Sequence, residues 1–84
     1  MHYVYVLKST KDEKLYTGST NNLRRRFAEH NAKKVFATKG RTPLELRYYE
    51  SYFSEKDARK REASLKKDGK GLAQLKRRIS ESLQ

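Results

Sequence analysis

Tyr-Val-Tyr-Val-Leu (residues 3–7) and Leu-Tyr-Thr-Gly-Ser (residues 15–19) decide the fold, since both stretches are rich in the β-branched and aromatic residues that favour strands. The first stretch is too short for a helix and is predicted to be a buried strand. Because the polar turn at residues 11–14 is short, the two strands are predicted to pair as an antiparallel hairpin. Gly18 is expected either to end the second strand or to let another backbone come close.

The segment after the hairpin predicts a helix, a loop and a third strand. Residues 20–22 (Thr-Asn-Asn) supply candidate caps for a helix that runs to about Asn31, because their side-chain oxygens accept from the free N–H groups of a first turn. Residues 32–43 contain the only proline and four cations without periodicity, which indicates a basic loop. Residues 44–53 alternate loosely between apolar and polar side chains and are predicted to form the third strand.

The remaining residues predict two more helices. Residues 54–57 (Ser-Glu-Lys-Asp) resemble a capping box that opens a helix reaching about Lys67, and residues 68–71 (Asp-Gly-Lys-Gly) are expected to break it. Apolar residues then recur at helical spacing, which predicts a last amphipathic helix with a fraying end; they are Leu72, Leu75, Ile79 and Leu83.

The element order ββαβαα predicts an α+β fold, in which a small three-stranded antiparallel sheet is flanked by helices. A chain of 84 residues is too short for two independent cores. We therefore expect residues 1–84 to form a single domain.

The charge balance limits the classes of partner. The chain holds 21 Lys and Arg against 10 Asp and Glu, a net charge of +11. Such an excess favours contact with nucleic-acid phosphates, although it also suits a solubilising surface, an anionic membrane surface or an acidic protein. The absence of cysteine excludes disulfides and thiolate metal sites. No stretch approaches the roughly 18 apolar residues of a membrane helix, and no signal peptide is evident, so a cytoplasmic protein is expected.

Two polar residues of the first predicted helix border the sheet. Arg26 and His30 are four residues apart, share one face and adjoin the apolar pair Leu23 and Phe27. Taken singly, Arg26 is better explained as a surface residue that extends over apolar neighbours. His30, taken singly, is better explained as a hydrogen-bonded residue at the edge of the core.

Two tyrosines of the predicted hairpin are candidates for chemistry. Tyr5 and Tyr16 lie on adjacent strands, where their hydroxyls can converge beside His30. A phenol acts as a base or proton shuttle only where a neighbour takes its proton, since its ordinary pKa is about 10. Packing in a small sheet is the alternative role for both side chains.

Glu62 places a carboxylate on the inward side of an otherwise cationic helix, four residues after Ala58 and three before Leu65. A buried carboxylate is costly unless it is paired or binds a metal, so Glu62 is predicted to have a partner. The simpler alternative is an ion pair with Lys66, one helical turn later.

Taken together, these residues resemble the signature of the GIY-YIG nuclease superfamily, and most of all its compact, UPF0213-like single-domain members. The family's two triplets correspond to residues 3–5 (Tyr-Val-Tyr) and residues 16–18 (Tyr-Thr-Gly). Arg26 stands ten residues beyond the start of the second triplet, where the family has its helix arginine, and His30 follows one turn later. Glu62 matches the family's metal-binding glutamate, and the resemblance spans nearly the whole chain.

The resemblance implies hydrolysis of a phosphodiester bond with one divalent metal ion, Mg²⁺ or Mn²⁺. Glu62 would bind the metal, and Arg26 would hold the scissile phosphate. Metal and arginine would then neutralise charge on the phosphate oxygens. Tyr16 would help to activate the attacking water, His30 would relay its proton and Tyr5 would orient the water or the phosphate.

The chain departs from the family pattern at three places. Tyr3 and Thr17 stand where the family's triplets have Gly and Ile. No Asn follows Glu62 where many members have one to support the site, and Gln74 is the candidate substitute.

Two functions follow as hypotheses, a metal-dependent nuclease acting on DNA and a non-catalytic nucleic-acid-binding module with the same fold. An adaptor for an acidic protein rests on composition alone. DNA is favoured over RNA, a protein partner is a candidate source of specificity because the domain is small, and the oligomeric state stays open. The candidate phosphate contacts are cationic side chains outside the catalytic set: Arg24, Arg25, Lys33, Lys34, Lys39, Arg41 and Lys70.

Overall fold

The computed structural model describes residues 1–67 and 69–84. Its elements in chain order are β1 (His2–Ser9), β2 (Leu15–Thr20), α1 (Leu23–Asn31), β3 (Leu44–Tyr52), α2 (Glu55–Lys66), α3 (Lys70–Arg78) and a 3₁₀ turn (Glu81–Leu83). The predicted α+β class and the order ββαβαα are confirmed. Within the predicted break between the last two helices, Asp68 lies outside the described residues. Over the ranges described, no helix is long and apolar enough to cross a membrane.

Strand β1 is the central strand of an antiparallel sheet with the order β2-β1-β3. Its side chains alternate between the two faces, as strand geometry requires. Val4 and Val6 pack against residues of α2 and α3, whereas Tyr5 and Leu7 pack against residues of α1. Because helices cover both faces of this strand, its central residues 3–7 are apolar or aromatic without interruption.

Helices α1 and α2 differ in how their first turns are capped. The side chain of Asn22 accepts the backbone N–H of Arg25 at 3.0 Å, so one of the predicted caps is confirmed. Ser54 precedes α2, but its side chain makes no capping hydrogen bond, and the predicted capping box is therefore wrong. Glu55 and Asp57 in the first turn instead place negative charge near the positive end of the helix dipole.

Helix α2 is fastened to β3 by a polar cluster around Glu50. The carboxylate of Glu50 accepts hydrogen bonds from Nε of Arg61 at Oε1 and from Nη2 of Arg61 at Oε2, both at 3.0 Å. It also accepts hydrogen bonds from the hydroxyls of Tyr48 and Tyr52. Burial acts to raise the pKa of Glu50, but these hydrogen bonds together hold it below its ordinary value. The cluster fixes the turn of α2 that also carries Glu62.

The last helix is shorter than its apolar pattern predicts. Helix α3 ends at Arg78, and Leu83 lies in the 3₁₀ turn instead of in the helix. Beyond the helix, Lys8 donates to the carbonyl of Leu83 at 2.6 Å and Arg47 donates to that of Ser82 at 3.0 Å. These two side chains hold the C-terminal turn against the sheet.

Candidate active site

The candidate site lies along the edge of the sheet that β2 forms. Arg59, Glu62 and Lys66 are spaced by three and four residues and therefore share the face of α2 that meets this edge. Ser19 of β2 donates to Oε1 of Glu62 at 2.6 Å, and Lys66 donates to Oε2 at 2.7 Å. Both expectations for this carboxylate are thus met, since it has a partner on the sheet and an ion pair within its own helix.

The carboxyl group of Glu62 is ionised at neutral pH. Its side chain is 21% exposed, and this partial burial acts to raise the pKa. The hydrogen bonds from Lys66 and Ser19, with the positive charges of Lys66 and Arg59, outweigh burial and lower the pKa below its ordinary value. Glu62 therefore places a negatively charged, partly exposed carboxylate beside the edge of β2.

Under the other face of the sheet, a buried hydrogen-bond chain joins β1, α1 and the following loop. The Tyr5 hydroxyl lies 2.8 Å from Nε2 of His30, and Nδ1 of His30 lies 2.7 Å from the hydroxyl of Thr38. All three side chains are buried. A neutral imidazole donates through one nitrogen and accepts through the other, so both ring nitrogens are satisfied within the protein.

Burial shifts the pKa values of this chain in opposite directions. It raises the pKa of Tyr5 to about 12, and the nearby guanidinium of Arg26 opposes that effect only in part. Burial, together with the positive charge of Arg26, lowers the pKa of His30 to about 4. Both groups are therefore neutral at physiological pH.

Gly18 makes room for the Tyr5 hydroxyl. The two residues are cross-strand partners in the pairing of β1 with β2, and a Cβ atom at Gly18 would lie 2.5 Å from the Tyr5 oxygen. The sequence predicted that Gly18 ends the strand or admits another backbone. The structure shows instead that the strand continues to Thr20 and that a side chain takes the space.

Tyr16 connects the buried chain with the edge of the sheet. Its ring packs edge-to-face on the ring of His30, with the two centroids 5.2 Å apart. On its other side, the ammonium of Lys66 lies 5.8 Å from the ring centroid. Tyr16 is thus placed between His30 and the Glu62–Lys66 pair.

Arg26 belongs to a polar cleft at the same edge. Its guanidinium pairs with Glu29 at 3.1 Å and borders an open cavity of about 340 Å³. Ser19, the hydroxyl that holds Glu62, also lines this cleft, as do Arg25 and Arg59. Ser19 and Arg59 were not among the site residues predicted from the sequence, although Arg59 lies three residues before Glu62 on the same helical face.

The other predicted phosphate contacts lie on two helices and in one loop. Arg24 belongs to α1, as Arg25 and Arg26 do, and Lys70 is the first residue of α3. Lys33, Lys34, Lys39 and Arg41 lie in the loop that packs on the β1–β2 turn, at the opposite end of the sheet from Arg26. In this loop Arg41 pairs with Asp12 at 3.1 Å, and the ammonium of Lys39 lies 4.6 Å from the centroid of the Phe36 ring.

Comparison with known proteins identifies the family. A family model described as the GIY-YIG catalytic domain matches residues 1–80. The chain belongs to the GIY-YIG family. It is 48% identical over 71 residues to a UPF0213 protein of Clostridium perfringens, which covers 80% of this chain and 72% of that relative. It is 52% identical over 66 residues to a UPF0213 protein of Natronomonas pharaonis, which covers 77% of this chain and 76% of that relative. No solved structure matches significantly.

Membership of the GIY-YIG family implies a nuclease-like function, and nucleases of this family generally use a divalent metal. Over residues 1–67 and 69–84, no group of three or more His, Asp and Glu side chains can together hold a metal ion. The donor set at Glu62 nevertheless fits a hard cation that keeps several waters, because the carboxylate is ionised and reaches solvent. Gln74 is exposed on α3, and the described hydrogen bonds do not join it to Glu62.

Proposed function

We propose that this protein is a metal-dependent endonuclease that hydrolyses phosphodiester bonds in DNA. The observation that carries the proposal is the position of Ser19, which donates to the Glu62 carboxylate and also lines the arginine cleft of Arg26. A negative metal-binding group and a positive phosphate-binding group therefore share one edge of the sheet. Phosphodiester hydrolysis needs both within reach of one phosphate.

In this proposal Glu62 holds one divalent ion, Mg²⁺ or Mn²⁺. When bound, the ion neutralises charge on the phosphate and on the leaving oxygen. Lys66 must release Oε2 of Glu62 for the ion to bind there. The side chain of Lys66 is about half exposed, so solvent can take it up without a cost in buried charge.

Arg26 and Arg59 bind the phosphate in the cleft, since guanidinium groups pair with two phosphate oxygens at once. Tyr16 orients the attacking water, because it packs at the boundary between the buried His30 and the charged edge. Arg24 and Arg25 extend the positive surface toward neighbouring phosphates.

Tyr5 and His30 are positioning residues in this proposal. Both are buried, and both are neutral at physiological pH because of the shifts in their pKa values. His30 supports the ring of Tyr16 through their edge-to-face contact. The role expected for His30 from the family, that of a proton relay, is therefore left out of the proposed mechanism.

A non-catalytic nucleic-acid-binding module is the second candidate. The observation that favours it is the Lys66–Glu62 ion pair, which satisfies one carboxylate oxygen with a protein cation. Such a module would bind DNA through the same arginine cleft, without any dependence on metal.

For either function, we also propose that a protein partner supplies specificity and that the protein is cytoplasmic.

The proposal is tested with a panel of linear, branched and nicked DNA and RNA, incubated with Mg²⁺, Mn²⁺ or EDTA. We expect metal-dependent cleavage of DNA that falls at least about 100-fold in Arg26→Ala. Lys33→Ala is the matched control, because Lys33 lies at the opposite end of the sheet. Salt-sensitive binding without cleavage of any substrate in either metal would favour the non-catalytic module.

A further inference from the structure

A second, larger cavity lies beside the arginine cleft on the face of the sheet that α1 covers. It has a volume of about 580 Å³, within the range of small-ligand sites. Its apolar wall consists of side chains from β1, β3 and α1: Tyr3, Leu23, Phe27, Leu46 and Tyr49. Arg24 and two asparagines complete the lining. Of the residues assigned above to metal, phosphate or water, Arg24 alone lines this cavity.

Helix α1 leaves part of this face uncovered at the edge strand β3. Tyr5 and Leu7 are buried under the helix, whereas Tyr49, the cross-strand partner of Tyr5 on β3, lines the cavity together with Tyr3. The two rings pack edge-to-face with centroids 6.1 Å apart. Tyr49 is 55% exposed. One aromatic surface is therefore presented to solvent.

The chemistry of this cavity selects its ligand. Exposed aromatic rings bind planar rings by stacking, and a neighbouring guanidinium adds attraction for an anion attached to that ring. Amide groups such as that of Asn21 can hydrogen-bond to the edge of a base. A nucleobase with its phosphate combines all three features, since it is planar, polar at its edge and negatively charged.

The position of the cavity relative to the cleft determines which nucleotide reaches it. Asn21 lines both cavities, so they adjoin one another at the start of α1. A strand whose phosphate lies in the Arg26 cleft therefore passes the cavity within its next nucleotides. A base inside a duplex is stacked on both sides and cannot turn onto Tyr49 without unstacking.

We propose that the Tyr3–Tyr49 cavity holds an unpaired nucleobase next to the phosphate that is cleaved. The inference rests on the proposed function and refines it, because it names the substrate class as DNA with an unpaired nucleotide. Single-stranded overhangs, flaps and bulges belong to this class. A continuous, fully paired duplex does not.

The test uses short DNA duplexes that carry 2-aminopurine either paired or unpaired, with the unpaired base in a 5′ overhang, a 3′ overhang or a bulge. Binding is measured in EDTA, so no cleavage is needed. We expect at least one unpaired probe to bind about tenfold more tightly than the paired one and to lose fluorescence as its base stacks. Tyr49→Phe keeps both effects. Tyr49→Ala loses both and keeps its affinity for the paired duplex.

Two outcomes would overturn the proposal. In the first, Tyr49→Ala still binds the unpaired probe more tightly than the paired one and still quenches its fluorescence. In the second, the wild type binds paired and unpaired probes equally well, or binds none of them. Circular dichroism confirms that Tyr49→Ala is folded, as expected for a half-exposed side chain. Failure of the nuclease proposal gives a different result. In that case the unpaired probe still binds preferentially, but no DNA is cut when metal is added.

Discussion

The ammonium of Lys66 lies 2.7 Å from Oε2 of Glu62, one turn earlier on α2. Ser19 holds the other oxygen of the same carboxylate. Lys66 therefore occupies the oxygen at which a divalent ion would bind, and the ion pair and the metal compete for one negative charge.

This competition predicts that Lys66→Met binds metal more tightly than the wild type. Removal of an exposed ion pair releases up to about 1 kcal/mol, which corresponds to roughly a threefold to fivefold gain in affinity. Free Mn²⁺ is measured by electron paramagnetic resonance during titration of the protein. Lys67→Met, which removes the neighbouring exposed lysine, is the matched control and leaves the affinity unchanged. Equal affinity in the two variants would show that Lys66 does not compete with the metal.

A second prediction concerns Gly18. Gly18→Ala places a methyl group 2.5 Å from the Tyr5 hydroxyl, so the buried Tyr5 ring, which is hydrogen-bonded to His30, must shift. We expect a loss of about 1–3 kcal/mol in the free energy of unfolding, measured by urea denaturation. Gly40→Ala is the control, because its Cβ would meet no atom within 4 Å. A Gly18→Ala protein as stable as the control would contradict the close packing described for Tyr5.

A third prediction follows from the depressed pKa of His30. The unfolded chain takes up a proton near the ordinary pKa of 6.5, whereas the folded protein resists protonation down to about 4. The unfolded state therefore binds more protons in this window, and stability falls as the pH drops from 6.5 towards 4. The loss reaches at most about 3 kcal/mol.

Urea midpoints at pH 7 and pH 5 measure this effect in an interval where most carboxyl groups stay ionised. His30→Gln cannot take up the proton and is expected to show a flatter profile over the same interval. A wild-type midpoint that does not change between pH 7 and pH 5 would contradict the assignment of His30 as a buried neutral residue.

A fourth prediction addresses the cluster that anchors α2. Arg61→Leu leaves the Glu50 carboxylate, 15% exposed, without its cation and should cost about 2–3 kcal/mol of unfolding free energy. Arg59→Leu is the comparison variant, since Arg59 and Glu55 are 69% and 55% exposed and their pair contributes less than about 1 kcal/mol. Thermal denaturation distinguishes the two variants. Equal melting temperatures would show that the Glu50 cluster does not stabilise the fold.

Much of the fold follows from local sequence patterns. The strands were predictable because residues 3–7 and 15–19 are dense in strand formers, and the start of α1 because Asn22 offers an oxygen to the first turn. The fold and the family were therefore accessible before any coordinates. Residue spacing also gave the Glu62–Lys66 pair, which lies within one helix.

The contacts that the sequence did not predict join elements far apart in the chain. Ser19 and Glu62 are 43 residues apart, and Lys8 and Leu83 are 75 apart, so no periodicity relates them. The predicted capping box is a local feature, and it was wrong. Residues 54–57 match its sequence pattern, but the pattern does not determine where the Ser54 side chain points, and in the structure this side chain makes no hydrogen bond to the first turn of α2.

Glu62→Gln tests the central claim most directly, because it keeps the size of the side chain and its hydrogen bond to Ser19 while it removes the charge. The measurement is the rate of DNA cleavage with Mg²⁺ and with EDTA, run beside the wild type after both proteins are shown to be folded. We predict metal-dependent cleavage by the wild type and a rate at least about 100-fold lower in the variant. Equal cleavage by the two proteins would contradict the assignment of Glu62 as the metal-binding residue.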